Sequence, residues 1–200
     1  MTITNDDHLY KMMNSLRNVG RIEGGQWYEH HYLGCNYRMT QLQASLLHEQ
    51  LKRLDDQTRL RDENGKYLAE LLGKIDGIEP LKRGIGENLH TYHIFIFRYD
   101  KSRFNDLPKR EFSEMLAAEG VPCFMGYPEP LYKQPLFQEK NFMCYAIPEE
   151  VSYKEVSCPV TEKACYEDAV WILQNTMLGN KKDMEDITLA IKKIQIAVKA

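Results

Sequence analysis

The sequence predicts an α+β fold: a long helix and a C-terminal helix packed with a small, mostly antiparallel sheet. Three observations carry this. A helical pattern without proline runs from about Gln41 to Leu72, with Leu47, Leu51, Leu54, Leu60, Tyr67, Leu68 and Leu71 at its apolar positions. The run Thr91 to Tyr99 is rich in β-branched and aromatic residues and reads as the clearest strand. The closing segment places Ile187, Ala190, Ile191, Ile194 and Val198 at helical spacing. Strands and helices that do not alternate strictly favour α+β over a doubly wound sheet.

The elements follow in order. Thr2-Ile3-Thr4 is a short β-prone run, and Asp6 then suits the N-cap of a helix carrying Leu9, Met12, Met13 and Leu16 and ending near Gly20. Residues 20–38 read as a loop in which Gly20, Gly24, Gly25 and Gly34 interleave with Trp27, Tyr28, Tyr32 and Tyr37. Such a loop is longer than most connections, and its aromatic rings need something to pack against. Thr40 and Gln43 form a capping box for the long helix, which can span about 45 Å at 1.5 Å per residue. Gly73 and Gly77 mark its end.

After the Thr91–Tyr99 strand, Pro108 opens a helix over Lys109 to Ala118, Gly120 ends it, and Val121 to Phe124 returns as a strand. Residues 126–148, with Pro128, Pro130, Pro135 and Pro148, read as an irregular loop. Thr161 is expected to cap a helix running to about Met177, and Asp183 to cap the last helix.

Composition narrows the function. The net charge is −3, with 43% hydrophobic and 28% charged residues, as in ordinary globular proteins. Basic residues form only short clusters such as Lys52–Arg53 and Lys192–Lys193, so no nucleic-acid partner is expected. No apolar run is long enough to span a membrane, and residues 1–10 lack the pattern of a secretory signal. Five cysteines without a C-x-x-C pair fit reduced thiols and a cytoplasmic location. Cys158 and Cys165 read as core or boundary residues, and the spacing of His30, His31 and Cys35 fits no standard metal site.

One string is more specific. Tyr28-x-His30-x-x-Leu33-Gly34-Cys35-Asn36-Tyr37-Arg38-Met39-Thr40, followed by Gln43-Ala44, resembles the DegT/DnrJ/StrS-type family of fold-type I aminotransferases. Weaker matches lie at Thr4-Asn5-Asp6, Leu16-Arg17-Asn18, Tyr92-His93-Ile94-Phe95, Ala118-Glu119-Gly120-Val121-Pro122, Gly126-Tyr127 and Cys158-Pro159-Val160-Thr161-Glu162. Ala169-Val170-Trp171-Ile172 with Leu178-Gly179 leans toward the aminocyclitol and aminobenzoate branches. Read from the residues alone, Asn36 and Arg38 form a helix-entry turn with a solvated arginine, and Tyr127 packs its own loop.

The resemblance implies more. It implies the small C-terminal domain of such an enzyme over residues 40–200, including the long linking helix, with residues 1–39 a remnant of the large domain plus an interface loop. It implies pyridoxal phosphate as cofactor, a keto-sugar or keto-cyclitol as substrate, and glutamate or glutamine as amino donor. Asn36 would hold the cofactor phosphate in a neighbouring subunit. Arg38 would hold a carboxylate through its planar fork, and His30 and Tyr127 would line the sugar pocket. The lysine that holds the cofactor as a Schiff base would precede residue 1, so no catalytic residue is assigned here, and the chain alone is expected not to transaminate. The expected partner is a second copy in a homodimer or a complementary lysine-bearing chain. The alternative is a non-catalytic dimerisation or sugar-binding module derived from the same family.

Overall fold

The computed structural model describes residues 2–26, 28–142 and 150–199. Met1, Trp27 of the glycine-rich loop, and Cys144 and Pro148 of the proline-rich loop lie outside the described residues. The chain divides into two compact units, Met1–Leu54 and Asp55–Ala200, and the long helix contributes to both.

In the first unit, α1 (Asp7–Arg17) starts where the Asp6 carboxylate accepts a hydrogen bond from Leu9 N at 2.9 Å. Thr2-Ile3-Thr4, expected as a short strand, forms none. Thr4 Oγ1 instead accepts from Asp6 N at 3.0 Å, a local side-chain bond that competes with strand pairing. Helix α2 (Gln41–Leu72) begins at the expected capping box. Thr40 N donates to Gln43 Oε1 at 2.9 Å and Gln43 N donates back to Thr40 Oγ1 at 3.3 Å.

The second unit holds the core. Its sheet comprises β1 (Ile78–Pro80), β2 (Ile94–Tyr99), β3 (Cys123–Phe124) and β4 (Ala169–Leu173), in spatial order β1-β2-β4-β3 and antiparallel throughout. Helix α3 spans Lys109–Ala118, with Pro108 as its cap residue. Two short helices, α4 (Pro135–Gln138) and α5 (Pro159–Lys163), precede β4, and α6 (Lys181–Lys199) closes the chain. Strand residues alternate, so Phe95, Phe97 and Tyr99 of β2 and Val170 and Ile172 of β4 are buried. They pack with Leu68 and Leu72 of α2, Phe112 and Leu116 of α3, and Met184, Ile187, Ile191 and Ile194 of α6.

Two expectations fail here. The helix foreseen from Thr161 to Met177 ends at Lys163, continues as one wide turn over residues 164–168, and becomes β4. A short apolar run such as Ala-Val-Trp-Ile-Leu suits a buried strand as well as a helix, and pairing with β2 decides it. The cap of α6 is Asn180 rather than Asp183. Asn180 Oδ1 accepts from Asp183 N at 3.2 Å while Asp183 Oδ2 accepts from Asn180 N at 2.6 Å, so Asp183 is the reciprocal partner three residues on.

Asp62, buried in α2, ties that helix to residues 81–92. Its carboxylate accepts from Lys66 Nζ at 2.6 Å, Arg83 Nη1 at 2.5 Å and His90 N at 3.0 Å. Burial pushes its pKa up, but these bonds outweigh burial and hold it below the ordinary value. Gly65, one turn on, is a helix-interior glycine with a packing reason: a Cβ there would lie 2.4 Å from the Tyr92 ring.

Two outcomes follow. Phe112 is fully buried, stacked on Tyr99 at 4.2 Å and edge-on to Phe104 at 5.4 Å. Phe112→Ala is expected to destabilise the second unit by about 3–5 kcal/mol in urea unfolding. Because the folded-state pKa of Asp62 is lowered, its contribution is present at neutral pH and is lost as pH falls below the ordinary carboxylate value of 3.8. Asp62→Asn should lower stability at pH 7 and flatten the acid limb of the stability curve; an unchanged limb would refute this role.

Candidate functional site

Each unit presents one surface with chemistry. In the first, residues 20–38 fold back onto the end of α1 through backbone hydrogen bonds. Gly20 N donates to Ser15 O at 2.8 Å, and Gly20 O accepts from His31 N at 2.7 Å. Cys35 N reaches Leu16 O at 2.9 Å, Val19 N reaches Cys35 O at 3.1 Å and Tyr37 N reaches Arg17 O at 2.9 Å. Two glycines permit this closeness: Gly20 sits at φ +79°, and a Cβ on Gly34 would fall 2.5 Å from Gly20 N. Asn18 and Asn36 thereby form an antiparallel bridge.

The bridge fixes the backbone of Asn36 while its side chain stays exposed. Arg38, also exposed, donates from Nε to Asn36 Oδ1 at 2.9 Å. A guanidinium only donates, so the contact identifies the amide oxygen and leaves the NH2 end of Asn36 as a donor directed elsewhere. His30 lies in the same folded loop, its Nδ1 2.8 Å from Val19 O. A carbonyl only accepts, so Nδ1 carries the proton. The structure therefore joins Asn36 to Arg38 directly and places His30 on the neighbouring backbone.

Tyr127 belongs to the second unit, on the sheet face away from the core. Its ring stands edge-on to Trp171 at 5.7 Å and 83°. Gly126 makes that approach possible, since a Cβ there would lie 2.7 Å from the indole and its φ is +75°. Beside the pair, Arg98 donates from Nε and Nη2 to Asp168 Oδ2, each at 2.9 Å. Asp168 is only 5% exposed, and its Oδ1 is buried without a hydrogen-bond partner. Lys109 is also buried, and its Nζ donates to Cys165 O at 2.6 Å and Met125 O at 3.3 Å. Burial pushes its pKa down.

Sequence reading missed Trp171, the Arg98–Asp168 pair and Lys109. Trp171 was hidden because its segment was expected to be helical. Its run Ala-Val-Trp-Ile-Leu is apolar throughout, so no local pattern shows which side of it faces out. The pairs span 70 and 56 residues and leave no local pattern. Of the two cysteines expected at the core or boundary, Cys165 is half-buried and Cys158 is exposed, where it opens α5. Among the described residues, no three His, Cys, Asp or Glu side chains group as a metal site, and no helix is long and apolar enough to cross a membrane.

Residues 1–177 match the family model described as the DegT/DnrJ/EryC1/StrS aminotransferase family. The 3-amino-5-hydroxybenzoate synthase of Amycolatopsis mediterranei is 30% identical over 82% of this chain and 40% of its own length. The L-glutamine:2-deoxy-scyllo-inosose aminotransferase of Streptoalloteichus tenebrarius is 28% identical over 96% of this chain and 48% of its own. The chain spans about half the length of the curated relatives it matches. Among solved structures, a 3-amino-5-hydroxybenzoic acid synthase superposes with a TM-score of 0.77 at 24% identity, covering 98% of this chain and 48% of that one. A Streptococcus pneumoniae protein assigned to the sugar aminotransferases, solved in its PMP form, superposes at 0.68 with 18% identity, covering 98% of this chain and 46% of that one. These structural likenesses bear on the fold: the chain, helices and antiparallel sheet included, superposes on about half of that synthase structure.

Proposed function

The chain belongs to the DegT/DnrJ/EryC1/StrS aminotransferase family, and we propose that it supplies the phosphate-holding loop and the small domain of an aminotransferase acting on a keto-sugar or keto-cyclitol. The family is dependent on pyridoxal phosphate. The observation that carries the reading is the exposed Asn36–Arg38 pair on a backbone bridge. An amide NH2 and a guanidinium are the donor types that suit a phosphate or a carboxylate, and the Arg38 bond sets which end of the amide is offered.

In this reading Asn36 binds the phosphate of pyridoxal phosphate seated in a neighbouring subunit. Arg38 orients that amide and offers its remaining donors to the carboxylate of a glutamate or glutamine donor. His30, on the first unit, and Tyr127, on the second, are each assigned to contact the keto substrate. When bound, the cofactor supplies the electron sink that amino transfer needs. The lysine that anchors it lies on a polypeptide segment outside residues 1–200, which do not transaminate alone.

In an assembly with such a polypeptide, Asn36→Ala removes one hydrogen bond to a charged group, worth about 1.5–3 kcal/mol. Cofactor retention, followed by absorbance during dialysis, is expected to weaken about tenfold to a hundredfold. Retention unchanged by both Asn36→Ala and Arg38→Ala would overturn the assignment.

A second reading, a dimerisation or sugar-binding module without catalysis, is favoured by the leucines of α2 in the first unit. Leu47, Leu51 and Leu54 share a stripe and are exposed, and Leu42 is 82% exposed. Mixing the chain with a lysine-bearing family half separates the two, because recovered transamination supports the enzyme reading and association without activity supports the module. Borohydride reduction of the chain alone with pyridoxal phosphate should leave no stoichiometric lysine adduct by mass spectrometry. A single-site adduct would contradict the claim that it is inactive by itself.

A further inference from the structure

The sheet of the second unit has one face closed by helices and one open. On the open face lies a cavity of about 460 Å³, within the range of small-molecule sites. Its floor is Ile96 and Trp171, one wall is Met125 to Tyr127, and the other is Val160 to Cys165. Its surface is mostly apolar and aromatic, and its charged groups are Arg98, Lys163 and Asp168. Arg98 pairs with Asp168 at 2.9 Å and reaches Glu79 at 3.6 Å. Lys163 is exposed and is the cation left over, and the ammonium of Lys109 lies behind both walls on the carbonyls of Met125 and Cys165.

We propose that this groove binds a small ligand with a flat ring and one anionic group, the ring against Trp171 and Tyr127 and the anion at Lys163. The argument is complementarity. A flat ring can lie against the edge-on aromatic pair, whose close approach Gly126 permits by lacking a side chain. Arg98 is held by Asp168 and Glu79, which leaves Lys163, whose charge also acts on Asp100, as the cation an anion would meet at the cavity. This deepens the reading of Tyr127 as a pocket residue and rests on it, but it uses nothing from Asn36 or the first unit.

The sequence contains two tryptophans, so 5-fluorotryptophan labelling gives two 19F lines, and a Trp27→Phe variant assigns the line of Trp171. The full chain is titrated with 2-naphthoate and with its neutral counterpart 2-naphthalenemethanol. The expected result is a saturable shift of the Trp171 line, with naphthoate binding at least about tenfold more tightly, and loss of that preference in Lys163→Met. A native Trp171 line in the unliganded variant shows that it is folded. Equal affinity for the two probes, or a preference that survives Lys163→Met, overturns the anion assignment while leaving Tyr127 in a pocket. No saturable shift with either probe overturns both.

Discussion

The pairing of β2 with β4 governs the second unit. Its register sets Phe95 opposite Ile172 and Phe97 opposite Val170 on the buried face. The same register sets Ile96 opposite Trp171 and Arg98 opposite Ala169 on the other. A slip of one residue would carry Arg98 into the core and expose Phe97, so the aromatic cluster around Phe112 and the register enforce each other. One constraint therefore makes both the core and the open groove. The side chains that face the groove alternate, in the pleat, with those that hold the unit together.

The first unit is stabilised differently. Among its described residues, only Ser15 and Gly20 are buried. The loop keeps its shape through backbone bonds between the end of α1 and residues 31–37, which glycines at 20 and 34 permit. Backbone bonding of this kind fixes direction without burying apolar surface. It presents Asn36 and Arg38 at a defined place while leaving Leu33, Leu42 and Leu51 in solvent. A surface so rich in exposed apolar side chains is what association would cover.

How much was legible in the sequence follows from the range of each interaction. The Asp6 cap, the Thr40–Gln43 box, the bounds of α2 and α3, and the apolar face of α6 depend on residues three or four apart, and all were readable. The Asn36–Arg38 contact is equally local. The strand character of Ala169–Leu173 was not readable, because a five-residue apolar run takes its conformation from the strand beside it. The Asn180 cap was missed for a smaller reason: both Asn180 and Asp183 are capping residues, and only geometry shows which one precedes the helix. Arg98–Asp168 joins a strand to a turn 70 residues away and exists only after folding.

Lys109 shows why the groove has a definite shape even though β3 is two residues long. So short a strand cannot by itself position the Met125–Tyr127 segment, and the wide turn at 164–168 lies outside the ladder. Burying an ammonium is costly unless its donors are used. Here they are used on one carbonyl from each wall, at 3.3 Å and 2.6 Å, and the attraction of Asp168 partly offsets the effect of burial on the charge. The cation thus ties together two segments that the sheet leaves free. Removing it would orphan two carbonyls at once and loosen the spacing between the Tyr127 wall and the Cys165 wall, although Lys109 itself does not line the cavity.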